Sequence, residues 1–219
     1  MVENGSQVEK SPLVLGQPWP WQRAVKRLVD VVGAAALLVL LSPVMLLIGL
    51  AVRVTSRGPI LYRWRVVGLN GRPFTGYKFR SMVRDADTLK EQLLLDNEML
   101  GPVFKMRADP RVTGLGRWLR RYSLDELPQL WSVLKGDMSL VGPRPVFPHE
   151  YQRFEPWQRR KLTVVPGLTC TWQVNGRNGV TNFDDWVRMD LAYIDNWSIW
   201  LDFRILLKTV RAVLKGTGH

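Results

Sequence analysis

The octapeptide Ser123-Leu124-Asp125-Glu126-Leu127-Pro128-Gln129-Leu130 carries the strongest chemical signal in the chain. An ionised aspartate beside a divalent cation can attack phosphorus, and Asp125 is the candidate for that role. Glu126, adjacent, can hold the cation or orient a group, so both acids are the metal candidates. The same residues have an ordinary reading: Ser-x-x-Glu before an apolar run is a capping box, with Ser123 as N-cap and Glu126 at N3. A helix N-terminus also favours phosphate, because its free N–H groups and dipole carry positive potential. Arg117, Arg120 and Arg121 precede the pair, and Lys78 and Arg80 lie upstream. Arg144 stands between two prolines in Val141-Gly142-Pro143-Arg144-Pro145, a rigid loop that can present its guanidinium. Arg177 lies in Gln173-Val174-Asn175-Gly176-Arg177-Asn178, a turn rich in hydrogen-bonding groups. Clustered bases around one acidic pair point to phosphoryl chemistry.

Composition narrows the alternatives. The 219 residues contain one cysteine, Cys170, and two histidines, His149 and His219. An intrachain disulfide is impossible, a thiolate zinc cage or poly-His site is unsupported, and a hard cation such as Mg²⁺ is the metal that fits. The net charge of +12 suits a phosphate-rich partner: nucleic acid, an anionic membrane or a nucleotide. Ten tryptophans suit a membrane interface, although core packing also uses indoles.

The elements that must position these residues follow in order. Residues 1–20 read as a loose tail without a signal peptide. Val31–Val52 is an uncharged stretch bounded by Asp30 and Arg53. As a helix it would measure roughly 33 Å, long enough to cross a bilayer. Pro43 at its centre is expected to kink it, with the Ser42 hydroxyl satisfying a carbonyl one turn earlier. Both flanks are basic, which the positive-inside rule reconciles with re-entry. A re-entrant helix, a kinked crossing and a buried core helix all stay open on this segment alone. Ile60–Val67 and Phe74–Phe79 predict a β-hairpin around Asn70-Gly71. Helices are predicted over 84–99, as two short pieces over 115–135, and over 149–162, 183–195 and 198–214, with 136–148 irregular. The last helix alternates apolar and basic residues and fits either a membrane surface or a packed terminal helix.

Several motifs together resemble the bacterial sugar transferase family, the monotopic phosphoglycosyl transferases. They are Ser42-Pro43, Tyr77-Lys78-Phe79-Arg80-Ser81-Met82, Ser123–Leu130, Lys135-Gly136-Asp137-Met138-Ser139-Leu140-Val141-Gly142-Pro143-Arg144-Pro145, Pro166-Gly167-Leu168-Thr169, Gln173–Asn178 and Tyr193–Ser198. The resemblance implies a mainly α fold with a small hairpin (α+β). It implies a re-entrant membrane helix over 21–57, broken at Ser42-Pro43, and a cytoplasmic catalytic domain over 58–219 with interfacial amphipathic helices. Asp125 matches the family nucleophile and Glu126 the second acid, with Mg²⁺ as cofactor. Lys78, Arg120 and Arg144 match basic positions around the phosphates. Arg80, Asp137, Gln173, Asn175 and Arg177 complete the expected substrate-binding set.

The implied reaction attacks the β-phosphate of a UDP-sugar, releases UMP and passes the sugar phosphate to undecaprenyl phosphate. Expected partners are that donor, that lipid, the inner (cytoplasmic) bacterial membrane and a second copy of the chain as a homodimer, with no nucleic acid. Cys170 and Thr171 depart from the family pattern of Gly and a bulky apolar residue, which puts the local backbone and sugar choice in question. The spanning helices that precede this unit in larger relatives are not in the sequence, so a minimal catalytic unit is expected. A non-catalytic membrane-surface adaptor and a nucleic-acid-binding protein are the other classes the charge permits.

Overall fold

The uncharged N-terminal stretch lies inside one long helix, α1 (Pro20–Thr55), in a computed structural model that describes residues 20–176 and 179–218. The tail over 1–19 and the Arg177-Asn178 pair lie outside the described residues. Helical structure continues on both sides of Pro43, so α1 is one element rather than two divided at Ser42-Pro43. Pro43 cannot donate to Val39, and the Ser42 hydroxyl donates to that carbonyl at 2.8 Å instead.

Both ends of α1 are fastened to the same folded body. At the N-terminal end, Lys26 Nζ donates to Val141 O at 2.9 Å and to Asp202 Oδ2 at 2.5 Å. Arg27 donates to Val133 O and Leu134 O at 2.6 Å each. Asp30 accepts from Leu140 N at 2.8 Å and from Ser139 Oγ at 3.0 Å. At the other end, Arg80 donates to Ser56 O at 2.9 Å and Arg57 O at 2.5 Å, while Ile48 and Val52 pack with Phe79 and Leu119. Between these anchors, Val39, Leu40, Leu46 and Leu47 are 67–77% exposed.

The hairpin forms as predicted, from β1 (Leu61–Val67) and antiparallel β2 (Pro73–Phe79). Asn70 and Gly71 both take left-handed φ, 52° and 77°, the backbone that an Asn-Gly pair supplies at least cost. Trp64 faces Gly76 across the ladder. A Cβ on Gly76 would sit 2.2 Å from the Trp64 Nε1, so glycine alone lets the indole lie against β2.

The helix predicted over 84–99 is shorter: α2 (Ala86–Gln92), then one 3₁₀ turn over Leu94–Asp96. Of the leucines expected to form its apolar stripe, Leu89 and Leu93 are half-buried and Leu94 is 53% exposed. The 115–135 region gives α3 (Gly114–Arg121), a 3₁₀ turn (Leu124–Gln129) and α4 (Leu130–Lys135). The stretch expected to be irregular contains β3 (Ser139–Val141), which pairs in parallel with β4 (Gly167–Thr169). Gly142 and Gly167 cross so closely that a Cβ on Gly167 would lie 2.0 Å from Gly142 N. That crossing fixes the base of the Pro143-Arg144-Pro145 loop.

The 149–162 segment divides into α5 (Pro148–Tyr151) and α6 (Pro156–Arg159), because Pro156 starts a new helix at N1, followed by a 3₁₀ turn over Arg160–Thr163. A short α7 (Thr171–Val174) precedes α8 (Phe183–Asp195) and α9 (Ile199–Lys215). The Asn182 and Ser198 side chains cap α8 and α9 by accepting from Asp184 N and Leu201 N. Of the tryptophans, Trp64, Trp172 and Trp186 are buried, whereas Trp21, Trp118, Trp131 and Trp200 are more than half exposed.

Candidate active site

A cleft of about 1720 Å³ opens between the hairpin and the helical body, and Lys78, Arg120, Asp125, Glu126 and Arg144 all line it. Its floor is the 3₁₀ turn. Leu124 and Leu127 pack into the cluster formed by Ile48, Val52, Phe79 and Leu119, so apolar residues on either side of the acids fix the turn against α1. Asp125 and Glu126 are only 7% and 8% exposed.

Ser123 does not act as a capping-box N-cap. It is left-handed, with φ 54° and ψ 23°, and its side chain makes no capping hydrogen bond. A non-glycine residue in this conformation costs about 1–3 kcal/mol, and such strain clusters at active sites. The Glu126 carboxylate, which a capping box would turn back to Ser123, meets Lys78 Nζ at 2.5 Å and Arg144 Nη1 at 3.8 Å.

Each base is positioned by its own device. Lys78 projects from β2 over the Trp64 ring, 4.3 Å from its centroid. Burial pulls its ammonium below the ordinary lysine value; Glu126 is the strongest opposing influence, while Arg144 adds to the lowering. Arg120 leaves α3 and donates from Nε to Ser81 Oγ at 2.8 Å. Thr113 caps α3 by accepting from Gly116 N, and a Cβ on Gly116 would stand 1.9 Å from Ser81 O, so α3 presses directly on the segment after β2. Burial lowers the Arg120 guanidinium from its usual value, with the Asp125 charge the chief counterweight. Arg144 extends from the proline loop, 6.0 Å from the ring centroids of both Trp172 and Trp186.

The other expected binding residues are placed differently. Arg80 lines the cleft, but its guanidinium is engaged at the carboxyl end of α1 through Ser56 and Arg57. Asp137 lies outside the cleft wall and pairs with Lys135. Gln173 Oε1 accepts from Cys170 Sγ at 3.1 Å and Asn175 Oδ1 from Lys208 Nζ at 2.9 Å; neither lines the cleft. Arg177 falls outside the described residues. Trp64, Trp172, Trp186, Lys161 and Glu150 also form the wall and were not singled out as site residues from the sequence. Their positions depend on tertiary packing and carry no local motif.

The donor set suits a hard cation. Among the described residues, no group of three or more His, Cys, Asp or Glu could hold a metal by itself. The adjacent carboxylates of Asp125 and Glu126 nevertheless match the way Mg²⁺ is held, by one or two carboxylates completed by substrate phosphates.

Residues 21–216 match the family model for bacterial sugar transferases. The chain is 46% identical over 193 residues to the galactosyl transferase CpsE of Streptococcus agalactiae serotype III, covering 88% of this chain and 43% of that protein. It is 42% identical over 200 residues to the undecaprenyl-phosphate galactose phosphotransferase of Salmonella typhimurium, covering 90% and 42%. The exopolysaccharide production protein ExoY of Rhizobium meliloti is 40% identical over 197 residues, covering 88% and 87%. The chain thus spans less than half the length of the first two relatives and most of the third.

Proposed function

The chain belongs to the bacterial sugar transferase family, and from that premise we propose that it moves a sugar 1-phosphate from a UDP-sugar to undecaprenyl phosphate. The carrying observation is the buried Asp125-Glu126 pair, set among Lys78, Arg120 and Arg144 on a turn packed against the apolar α1. A carboxylate oxygen of Asp125 attacks the β-phosphorus of the donor. The phosphoanhydride bond breaks, UMP leaves with the electron pair, and Asp125 holds the sugar phosphate as an acyl phosphate. A phosphate oxygen of the lipid then attacks the same phosphorus, the bond to Asp125 breaks, and the carboxylate returns. Lys78, Arg120 and Arg144 offset the negative charge gathered in the cleft. Asp125 and Glu126 would hold Mg²⁺, which neutralises charge on the diphosphate when bound. The product would open a glycoconjugate pathway such as exopolysaccharide, O-antigen or glycoprotein synthesis.

Incubation with a UDP-sugar panel, Mg²⁺ and undecaprenyl phosphate tests the reading: one donor is expected to give UMP and a lipid-linked sugar, and no UMP with any donor would refute it. In that assay Arg144→Ala is expected to lower kcat/KM about 10- to 100-fold, the scale of one charge-assisted hydrogen bond. An unchanged kcat/KM would remove Arg144 from substrate binding.

The same reading places α1 as a re-entrant helix in the inner membrane, with the body on the cytoplasmic face. Its support is the anchoring of both helix ends to one body, which a crossing of roughly 30 Å of hydrocarbon would pull apart. In α9, Trp200, Phe203, Leu207, Val210 and Leu214 form an exposed apolar stripe beside Arg204, Lys208, Arg211 and Lys215, which suits the headgroup layer. Cysteines placed at Arg23 and Arg57 test the topology in intact spheroplasts, against a native background of one buried thiol, Cys170. Protection of both from an impermeant maleimide is expected; labelling of either one alone would establish a crossing.

A further inference from the structure

The wall of the cleft beyond Arg144 contains two buried indoles whose polar atoms the reaction chemistry does not use. Trp172 and Trp186 meet edge to face, with centroids 4.1 Å apart and planes at 62°. They are only 6% and 5% exposed. Neither Nε1 has a hydrogen-bond acceptor among the described residues. Buried indole N–H groups ordinarily find one. The Nζ of Lys161, which lines the same cleft, lies 2.8 Å from Asp190 Oδ2 and 5.6 Å from the Trp186 centroid, so Trp186 stands beside a buried ion pair.

Resting on the transferase reading above, we propose that Trp172 and Trp186 form the subsite that receives the hexose ring of the donor. A hexose presents an apolar C–H face to an aromatic ring and hydroxyl oxygens to N–H donors, which is the complement of this pair. Arg144 links the subsite to the reacting groups, since it lies 6.0 Å from both indoles and 3.8 Å from Glu126. A diphosphate held by Arg144 would therefore bring its attached sugar beside them. The positions also bear on the departure at Cys170 and Thr171, which directly precede Trp172.

The test uses the full chain carrying Asp125→Asn, so that bound donor is not consumed, and titrates it with UDP, UDP-galactose and UDP-glucose. At least one UDP-hexose is expected to bind more tightly than UDP. Trp172→Phe and Trp186→Phe keep an aromatic ring and delete the N–H. Each is expected to reduce the UDP-hexose affinity about 5- to 10-fold while leaving UDP affinity unchanged, the scale of one hydrogen bond. Equal losses for UDP and UDP-hexose, or no loss for either, would overturn the subsite. Should a Phe variant fail to fold, ¹⁵N-indole signals of the otherwise unaltered chain give a second readout. Two buried indole N–H signals are expected to shift with UDP-hexose and not with UDP, and identical shifts with both would overturn the subsite. UMP release by the unsubstituted chain separates the two levels. Turnover with unchanged affinity ratios in both variants refutes the subsite alone, whereas no binding of any UDP-sugar refutes the transferase reading and the subsite together.

Discussion

Asp125→Asn is expected to reduce UMP release by about 10⁴-fold or more while the far-UV spectrum stays unchanged. The amide cannot form the acyl phosphate that the proposed route places on the carboxylate, so on that route the first transfer has no nucleophile. The substitution keeps size and shape, and the 3₁₀ turn is held by Leu124 and Leu127 against α1 rather than by the Asp125 side chain alone. Glu126→Gln is expected to be less severe, because it loses the ion pair with Lys78 but leaves the attacking oxygen in place. Substantial turnover by Asp125→Asn, measured as UMP at saturating donor, would remove Asp125 as nucleophile.

Lys161→Met carries the largest expected effect on stability. Lys161 and Asp190 are both 1% exposed and pair at 2.8 Å. Deleting one member of a buried pair leaves an uncompensated charge, which costs about 3–5 kcal/mol. For a chain of this size that corresponds to a fall in Tm of roughly 10 °C. The double variant Lys161→Met/Asp190→Leu is expected to regain most of the loss, because it buries no charge. Burial pushes the Asp190 carboxyl above its ordinary value, with Lys161 the main restraint. A raised folded pKa means that protonation favours the folded state. The penalty in Lys161→Met is therefore greatest at neutral pH, where Asp190 is driven to ionise, and shrinks as pH falls. Equal melting of single and double variants would show that the pair is not what the substitution disturbs.

The parts of the fold that were legible in the sequence are those with local signals. Asn70-Gly71 marked the hairpin because only those residue types enter its turn cheaply, and the helix starts expected at 183 and 198 fall where the Asn182 and Ser198 side chains cap α8 and α9. The β3–β4 pair was not legible. Three-residue strands show no alternation, and their pairing depends on the Gly142–Gly167 crossing some 25 residues apart in the chain. At Pro43 the helix continues, and the Ser42 hydroxyl donates to Val39 O, the carbonyl that Pro43 cannot serve.

The site divides in the same way. Asp125, Glu126, Lys78, Arg120 and Arg144 were candidates in the sequence, and all five line one cleft in the fold. The sequence left Glu126 open between a capping role and holding a cation or orienting a group, and its ion pair with Lys78 was not foreseen. Lys78 lies 48 residues earlier, and only the packing of β2 on the turn brings it within 2.5 Å. Arg80 shares a motif with Lys78, but it stands at the edge of the hairpin beside the end of α1 and spends its donors there. Asp137 shares a motif with the cleft-lining Arg144, and Gln173 and Asn175 follow the cleft-lining Trp172, so neighbourhood in sequence did not place them at the wall.

The most direct measurement of the central claim is the intact mass of the purified chain after exposure to Mg²⁺ and its UDP-sugar, with no lipid acceptor present. The covalent route predicts a mass increase of one hexose phosphate with one UMP released per chain, absent in Asp125→Asn and discharged when undecaprenyl phosphate is added. Lipid-linked product formed at full rate by a chain that never gains this mass, with Asp125→Asn equally active, would contradict it and establish direct transfer between the two substrates.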